Sequence, residues 1–128
     1  MNGRIARTAT MILIGLWAAG TADPARAQDA AAGKAVFASQ CAVCHPIVSG
    51  RNAVGPSLFG IVGRKTGSVA GFHYSAANQS ADIEWDEATL DNYLKAPMTA
   101  IPGTIMGYAG LKDDTQRANL VAYLATLK

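Results

Sequence analysis

The sequence predicts a small all-α single domain, its helices and loops wrapped around one large bound group. Three observations point there. Three capped, amphipathic stretches read as helices. No period-2 strand pattern persists between them. The first two are separated by about 40 glycine-punctuated residues, an unusual length of irregular chain for a compact domain, so something besides backbone hydrogen bonding must organise it.

Composition bounds the rest. At 128 residues the chain has room for one core. Half of its residues are hydrophobic and 16% are charged, which excludes wholesale disorder. A formal net charge of +2 carries neither a nucleic-acid footprint nor a polybasic membrane patch. Two cysteines exclude a multi-disulfide scaffold and a four-cysteine metal site.

Residues 1–27 read as a cleavable secretory signal peptide. Arg4 and Arg7 precede a short apolar run, Met11 to Gly20, which is too short to span a bilayer. Ala25-Arg26-Ala27 supplies the small-x-small cleavage pattern, with the cut expected before Gln28. Removing 27 of 128 residues leaves 101. The segment holds Arg4, Arg7 and Arg26 against Asp23, so basic residues fall from 11 to 8 and acidic ones from 9 to 8. The mature chain, 28–128, is formally neutral.

The first helix is expected from about Asp29, its cap, to Gln40, with Val36 and Phe37 on one face. The second follows Trp85: Asp86 caps it, Glu87 suits its dipole, Leu90, Tyr93 and Leu94 form its apolar face, and Pro97 stops it. The third starts at Asp113 or Asp114, with Gln116 completing a capping-box-like pair. Leu120, Val121, Leu124 and Leu127 form its buried stripe. Between the first two helices, Gly50, Gly55, Gly60, Gly63, Gly67 and Gly71 break up the chain.

Where the first helix ends stands Cys41-Ala-Val-Cys44-His45, the pattern of covalent haem attachment. Each sulfur can add to one vinyl group of the porphyrin, and two intervening residues on a helical turn bring both to the same ring. His45 then lies against the iron as an axial ligand. A thiol redox pair normally opens a helix in a strand-helix-strand unit, whereas this one closes a helix. Zinc asks for four ligands, and beside these three the chain offers only the distant His73. For the other face of the iron the mature chain holds His73, Met98 and Met106. Met106 ends the tight-turn sequence Pro102-Gly103-Thr104-Ile105-Met106, although a core gap-filler reads equally well there.

Further stretches carry a resemblance: Gly33 to Phe37, Gly55-Pro56-Ser57-Leu58, Gly63-Arg64-Lys65-Thr66-Gly67, Gly71-Phe72-His73-Tyr74, Tyr93-Leu94 and Leu120 to Leu124. With the Cys41–His45 motif, Trp85 and Pro102 to Met106, they make nearly all of residues 29–128 resemble a class I cytochrome c, close to the mitochondrial and soluble bacterial carriers.

The resemblance implies one haem c bound through Cys41 and Cys44, with His45 and Met106 as its metal ligands. Pro56 would orient the His45 ring through its carbonyl. Arg64, Tyr74 and Trp85 would hold the haem propionates. Tyr93, Asn78 and Thr104 would form a polar cluster beside Met106, and Gly33 and Phe37 would meet Tyr123 where the first and last helices cross. It also implies a one-electron carrier rather than an enzyme: soluble, periplasmic, monomeric, without nucleic acid and without stable membrane insertion once the signal is cut. Its partners would be redox proteins, such as a membrane cytochrome complex, an oxidase, a reaction centre or a dehydrogenase. An electron-acceptor subunit held in complex with a periplasmic dehydrogenase is the alternative, and a ligand-binding haem protein is a more distant one.

The sequence also departs from the family pattern. Gln40, Met98, Thr99 and Ile105 stand where the family carries docking lysines, Asp113 adds a negative charge, and Tyr108 replaces a phenylalanine near the exposed haem edge. Lys34 and Lys112 remain.

Overall fold

Aspartates and a serine with side chains suited to capping start four of the five helices among the described residues. Helix α1, Ala30–Gln40, begins where the Asp29 carboxylate accepts from the amides of Ala31 and Ala32. Helix α3, Glu87–Lys95, is capped by Asp86 accepting from Thr89, and α5, Asp114–Ala125, by Asp113 accepting from Gln116. The short helix α2, Ala76–Ser80, starts at Ser75, whose hydroxyl accepts from the Asn78 amide. Helix α4, Pro97–Ala100, instead starts on a proline, whose fixed φ and missing N–H suit a first turn. This computed structural model describes residues 28–128, so the signal segment expected over 1–27 lies outside the described residues.

The three long helices fall where the sequence places them. The two short ones are additions: Pro97 both ends α3 and opens α4. Leu127 leaves the expected stripe, because α5 ends at Ala125 and Leu127 is only half-buried. Its carbonyl instead accepts from the Gly60 amide, tying the chain end to the irregular segment.

That segment is ordered by scattered bonds rather than by strands. An isolated antiparallel bridge joins Lys65 to Glu84, flanked by Trp85 N–H to Arg64 O at 2.9 Å and Thr66 N–H to Ile83 O at 2.8 Å. Gly50, Gly60, Gly63, Gly67 and Gly71 take the left-handed backbone, and Gly55 does not.

Helices α1 and α5 cross in close contact. A Cβ on Gly33 would stand 1.8 Å from the backbone oxygen of Asn119 and 2.9 Å from the Cβ of Tyr123. Only a hydrogen atom fits there. The Phe37 and Tyr123 rings meet with centroids 5.4 Å apart. On its other side α5 packs on α3, and buried Arg117 joins them. Its guanidinium donates to both carboxylate oxygens of Asp91 at 2.9 and 3.2 Å, and to Asp114 and the Leu111 carbonyl. Removing Asp91 would leave the buried charge matched only by the exposed Asp114. The core, including Leu90, Leu94, Leu120 and Leu124, is thus shared among three helices.

A Gly33→Ala variant tests the crossing. The methyl has backbone, not a movable side chain, in its way, so the helices must separate. Denaturant unfolding of the haem-loaded protein is expected to show a loss of about 3 kcal/mol, the upper end for overpacking. A loss below about 0.5 kcal/mol, the ordinary scatter of surface changes, would show that the crossing tolerates a side chain.

Candidate functional site

The end of α1 delivers the cysteine motif. Cys41 caps the helix, its amide donating to Phe37 O at 2.9 Å. The amides of Cys44 and His45 both return to Cys41 O, at 3.0 and 2.9 Å. This turn brings Cys41, Cys44 and His45 to the wall of one cleft. The two sulfurs are not joined in a disulfide. Burial, with the neighbouring Cys44, pushes the Cys41 thiol up to about 11. A thiol so far from ionisation is a poor nucleophile for disulfide exchange and a poor thiolate ligand.

His45 is held by the glycine-proline step that follows. Its Nδ1 lies 2.8 Å from the Pro56 carbonyl oxygen. A carbonyl can only accept, so Nδ1 carries the hydrogen and Nε2 keeps its lone pair. Burial lowers the pKa of His45, against the opposing pull of the Pro56 carbonyl, so the ring is neutral at pH 7. Gly55 lies flat on the imidazole: a Cβ there would come within 2.3 Å of Cε1. The loop behind is fixed by Asn52, which accepts from Ser57 N–H and donates to Ala70 O, and by the Ser57 hydroxyl on Val48 O.

The remaining expected residues converge on the same cleft. Pro56, Arg64, Tyr74, Asn78, Trp85, Tyr93, Thr104 and Met106 all line it, from loops and helices far apart in sequence. His73 and Met98 do not, and both are exposed. The Tyr93 hydroxyl donates to the Met106 sulfur at 3.4 Å, and Met106 N–H donates to the Thr104 hydroxyl at 3.2 Å. Burial raises the Tyr93 pKa, while bonds with Thr104 and Asn78 oppose the rise. Asn78 is itself held by the Ser75 hydroxyl at 2.7 Å. The Trp85 and Tyr93 rings pack at 4.8 Å. Arg64 has an additional task that sequence reading does not reveal: its guanidinium donates to the Phe59 and Ser57 carbonyls, both at 2.9 Å. The Tyr74 hydroxyl accepts from Val69 N–H.

Several cleft residues escape a reading for functional motifs. Leu58, Ile61, Leu90, Leu94, Leu120 and Leu124 give the cleft its apolar walls. The helical stripes already marked the last four as core. Ile61 and Thr66 sit in the irregular segment, where no periodicity marks them.

The cleft opens to solvent at its mouth and is walled mainly by apolar side chains. Two adjacent thiols, a neutral imidazole with one free nitrogen, and a thioether line this apolar slot. That set fits an iron porphyrin joined by its vinyl groups. Among the described residues no three His, Cys, Asp or Glu side chains gather as a bare-metal site.

Comparison with known proteins agrees in kind. The family profile described as Cytochrome c matches residues 30–128. A cytochrome c2 of Rhodopila globiformis is 46% identical over 100 residues, covering 78% of this chain and 94% of that protein. A cytochrome c2 of Blastochloris viridis is 48% identical over 102 residues, 79% of this chain and 80% of its own. A cytochrome c of the plant Nigella damascena is 45% identical over 103 residues, 80% of this chain and 93% of its own.

Proposed function

This chain belongs to the cytochrome c family, and on that premise we propose that residues 28–128 form an exported electron carrier with His45 and Met106 as iron ligands. Members carry haem c covalently and transfer electrons, and here Cys41 and Cys44 hold the haem. The haem supplies a couple between ferric and ferrous iron, one electron at a time. The observation that carries the ligand assignment is the pairing of two prepared donors in one cleft: His45 fixed on Pro56 O, and Met106 sulfur fixed by the Tyr93 hydroxyl.

The protein's own groups then set how that couple behaves. Pro56 orients the imidazole and keeps its hydrogen on Nδ1. The Met106 thioether, a soft donor, favours ferrous iron and raises the potential. The hydrogen bond from Tyr93 withdraws electron density from that sulfur. Asn78 and Thr104 complete the polar cluster. Arg64, Tyr74 and Trp85 hold the propionates. The leucine and isoleucine walls exclude water, which disfavours the more charged ferric state. With His45 and Met106 both committed to the iron, no open position would remain for a substrate, so the chain would carry electrons rather than act as an enzyme.

The carrier is placed in the periplasm as a soluble monomer. Residues 1–27 act as the signal peptide, a reading supported by a family match that begins only at residue 30. Among the described residues no helix is long and apolar enough to cross a membrane. Its partners are redox proteins, met with little charge steering. Val43 and Val54 are exposed beside the cysteine motif and the cleft mouth, and Ile105 and Met98 stand exposed at docking-lysine positions.

Three outcomes test these statements. Intact mass of protein purified from its host is expected to equal residues 28–128 plus one haem; a chain that retains residues 1–27 refutes the cut. Met106→Ala should abolish the weak far-red sulfur-to-iron band of the ferric protein, and persistence of the band would assign the thioether to Met98. Raising ionic strength from about 0.01 M to about 0.15 M shortens the Debye length from about 30 Å to about 8 Å. Over that range electron transfer to the physiological partner should change by only a small factor, and a fall of roughly tenfold or more would mark a steered encounter.

A further inference from the structure

The segment that carries Met106 is weakly tied down. From Ile105 to Gly110 its backbone bonds are local: Tyr108 N–H to Met106 O at 2.9 Å, and Met106 N–H to the Thr104 hydroxyl at 3.2 Å. Firm backbone attachments flank it, at Thr104 N–H to Ile101 O and Leu111 N–H to Leu94 O. Between them, two side-chain bonds reach other elements. One is the Tyr93 hydroxyl on the Met106 sulfur. The other is the Tyr108 hydroxyl, which donates to Gln40 Oε1 at 3.2 Å across 68 positions of sequence.

Gln40 is the last residue of α1 and the neighbour of Cys41. The bond therefore ties the Met106 segment to the helix end that bears the first haem anchor. A phenylalanine at position 108 would have no hydroxyl to donate, so the bond depends on the tyrosine.

We propose that the Tyr108–Gln40 hydrogen bond is a latch that holds the Met106 segment closed and slows replacement of Met106 by outside ligands. This rests on Met106 being the sixth ligand. Replacement requires the iron–sulfur bond to break and the 105–110 segment to swing out before the new donor nitrogen bonds. No electron moves. The latch bond breaks in that motion, so it opposes opening while leaving the closed site unchanged. Tyr108 is a positioning residue, since it acts on the iron only through Met106.

The test uses the ferric, haem-loaded protein with imidazole as the probe, following loss of the far-red band. Tyr108→Phe keeps the ring and removes the hydroxyl; Gln40→Leu removes the acceptor. Each should speed imidazole entry about fivefold, the factor a single net hydrogen bond of this kind carries. The double variant should be no faster than either single one, because both remove the same bond. Gln40→Glu retains an oxygen acceptor and should keep the slow rate, whereas Gln40→Leu keeps similar bulk without the acceptor and should not, a contrast that a packing role for Gln40 does not predict. Wild-type rates in Tyr108→Phe, or effects that multiply in the double variant, overturn the latch alone. A wild-type ferric spectrum lacking the band overturns the Met106 assignment, and the latch with it.

Discussion

The site depends on how closely two helices approach at Gly33. Because no side chain intervenes there, the α1 backbone rests against Asn119 of α5, and the Asn119 side chain accepts from the Asp29 amide at the start of α1. The Phe37–Tyr123 contact one turn further on fixes the rotation of α1 about its axis. With position and rotation set, the last residue of α1 delivers Cys41 to the cleft, and the following turn delivers Cys44 and His45. The chemistry of the motif is local, but its aim comes from a contact two turns upstream.

The second constraint is electrostatic. A buried imidazole that is neutral and hydrogen-bonded at Nδ1 offers its other nitrogen with a defined direction. A thioether carries no charge to desolvate. Placing such donors among leucine and isoleucine walls costs little, because nothing charged is buried without a partner. Among the described residues the one deeply buried guanidinium, Arg117, lies outside the cleft and is matched by Asp91 and Asp114. Arg64, on the cleft wall, uses carbonyl acceptors from the irregular segment, so it organises that loop as well as facing the site.

Legibility in the sequence followed the range of the interaction. Helices α1, α3 and α5 were readable because an aspartate caps each one and their apolar residues recur at helical spacing. Helices α2 and α4 were not: five and four residues are too few to show a period. Arg117 drew no reading from the sequence, since nothing in its neighbourhood announces Asp91, 26 residues earlier. Leu127 matched the α5 stripe by spacing but fell past the helix end. Ile61 carried no signal, because burial inside irregular chain leaves no pattern, and Thr66 was marked only as part of a matching stretch.

The sequence by itself determined what depends on neighbours in the chain: the paired cysteines with their histidine, the helix caps, and the places where glycine must turn the backbone. Covalent spacing and hydrogen bonds within one turn are properties of adjacent residues, so a string of letters contains them. The residues by themselves left His73, Met98 and Met106 open, and the resemblance implied Met106 and the Pro56 carbonyl. The tertiary structure alone showed that Met106 lines the cleft, that Pro56 O meets His45 and that Tyr108 reaches Gln40. Those contacts join residues up to 68 positions apart, and no local rule sets their distance. They exist because the helix crossings and the irregular segment close on one shared core.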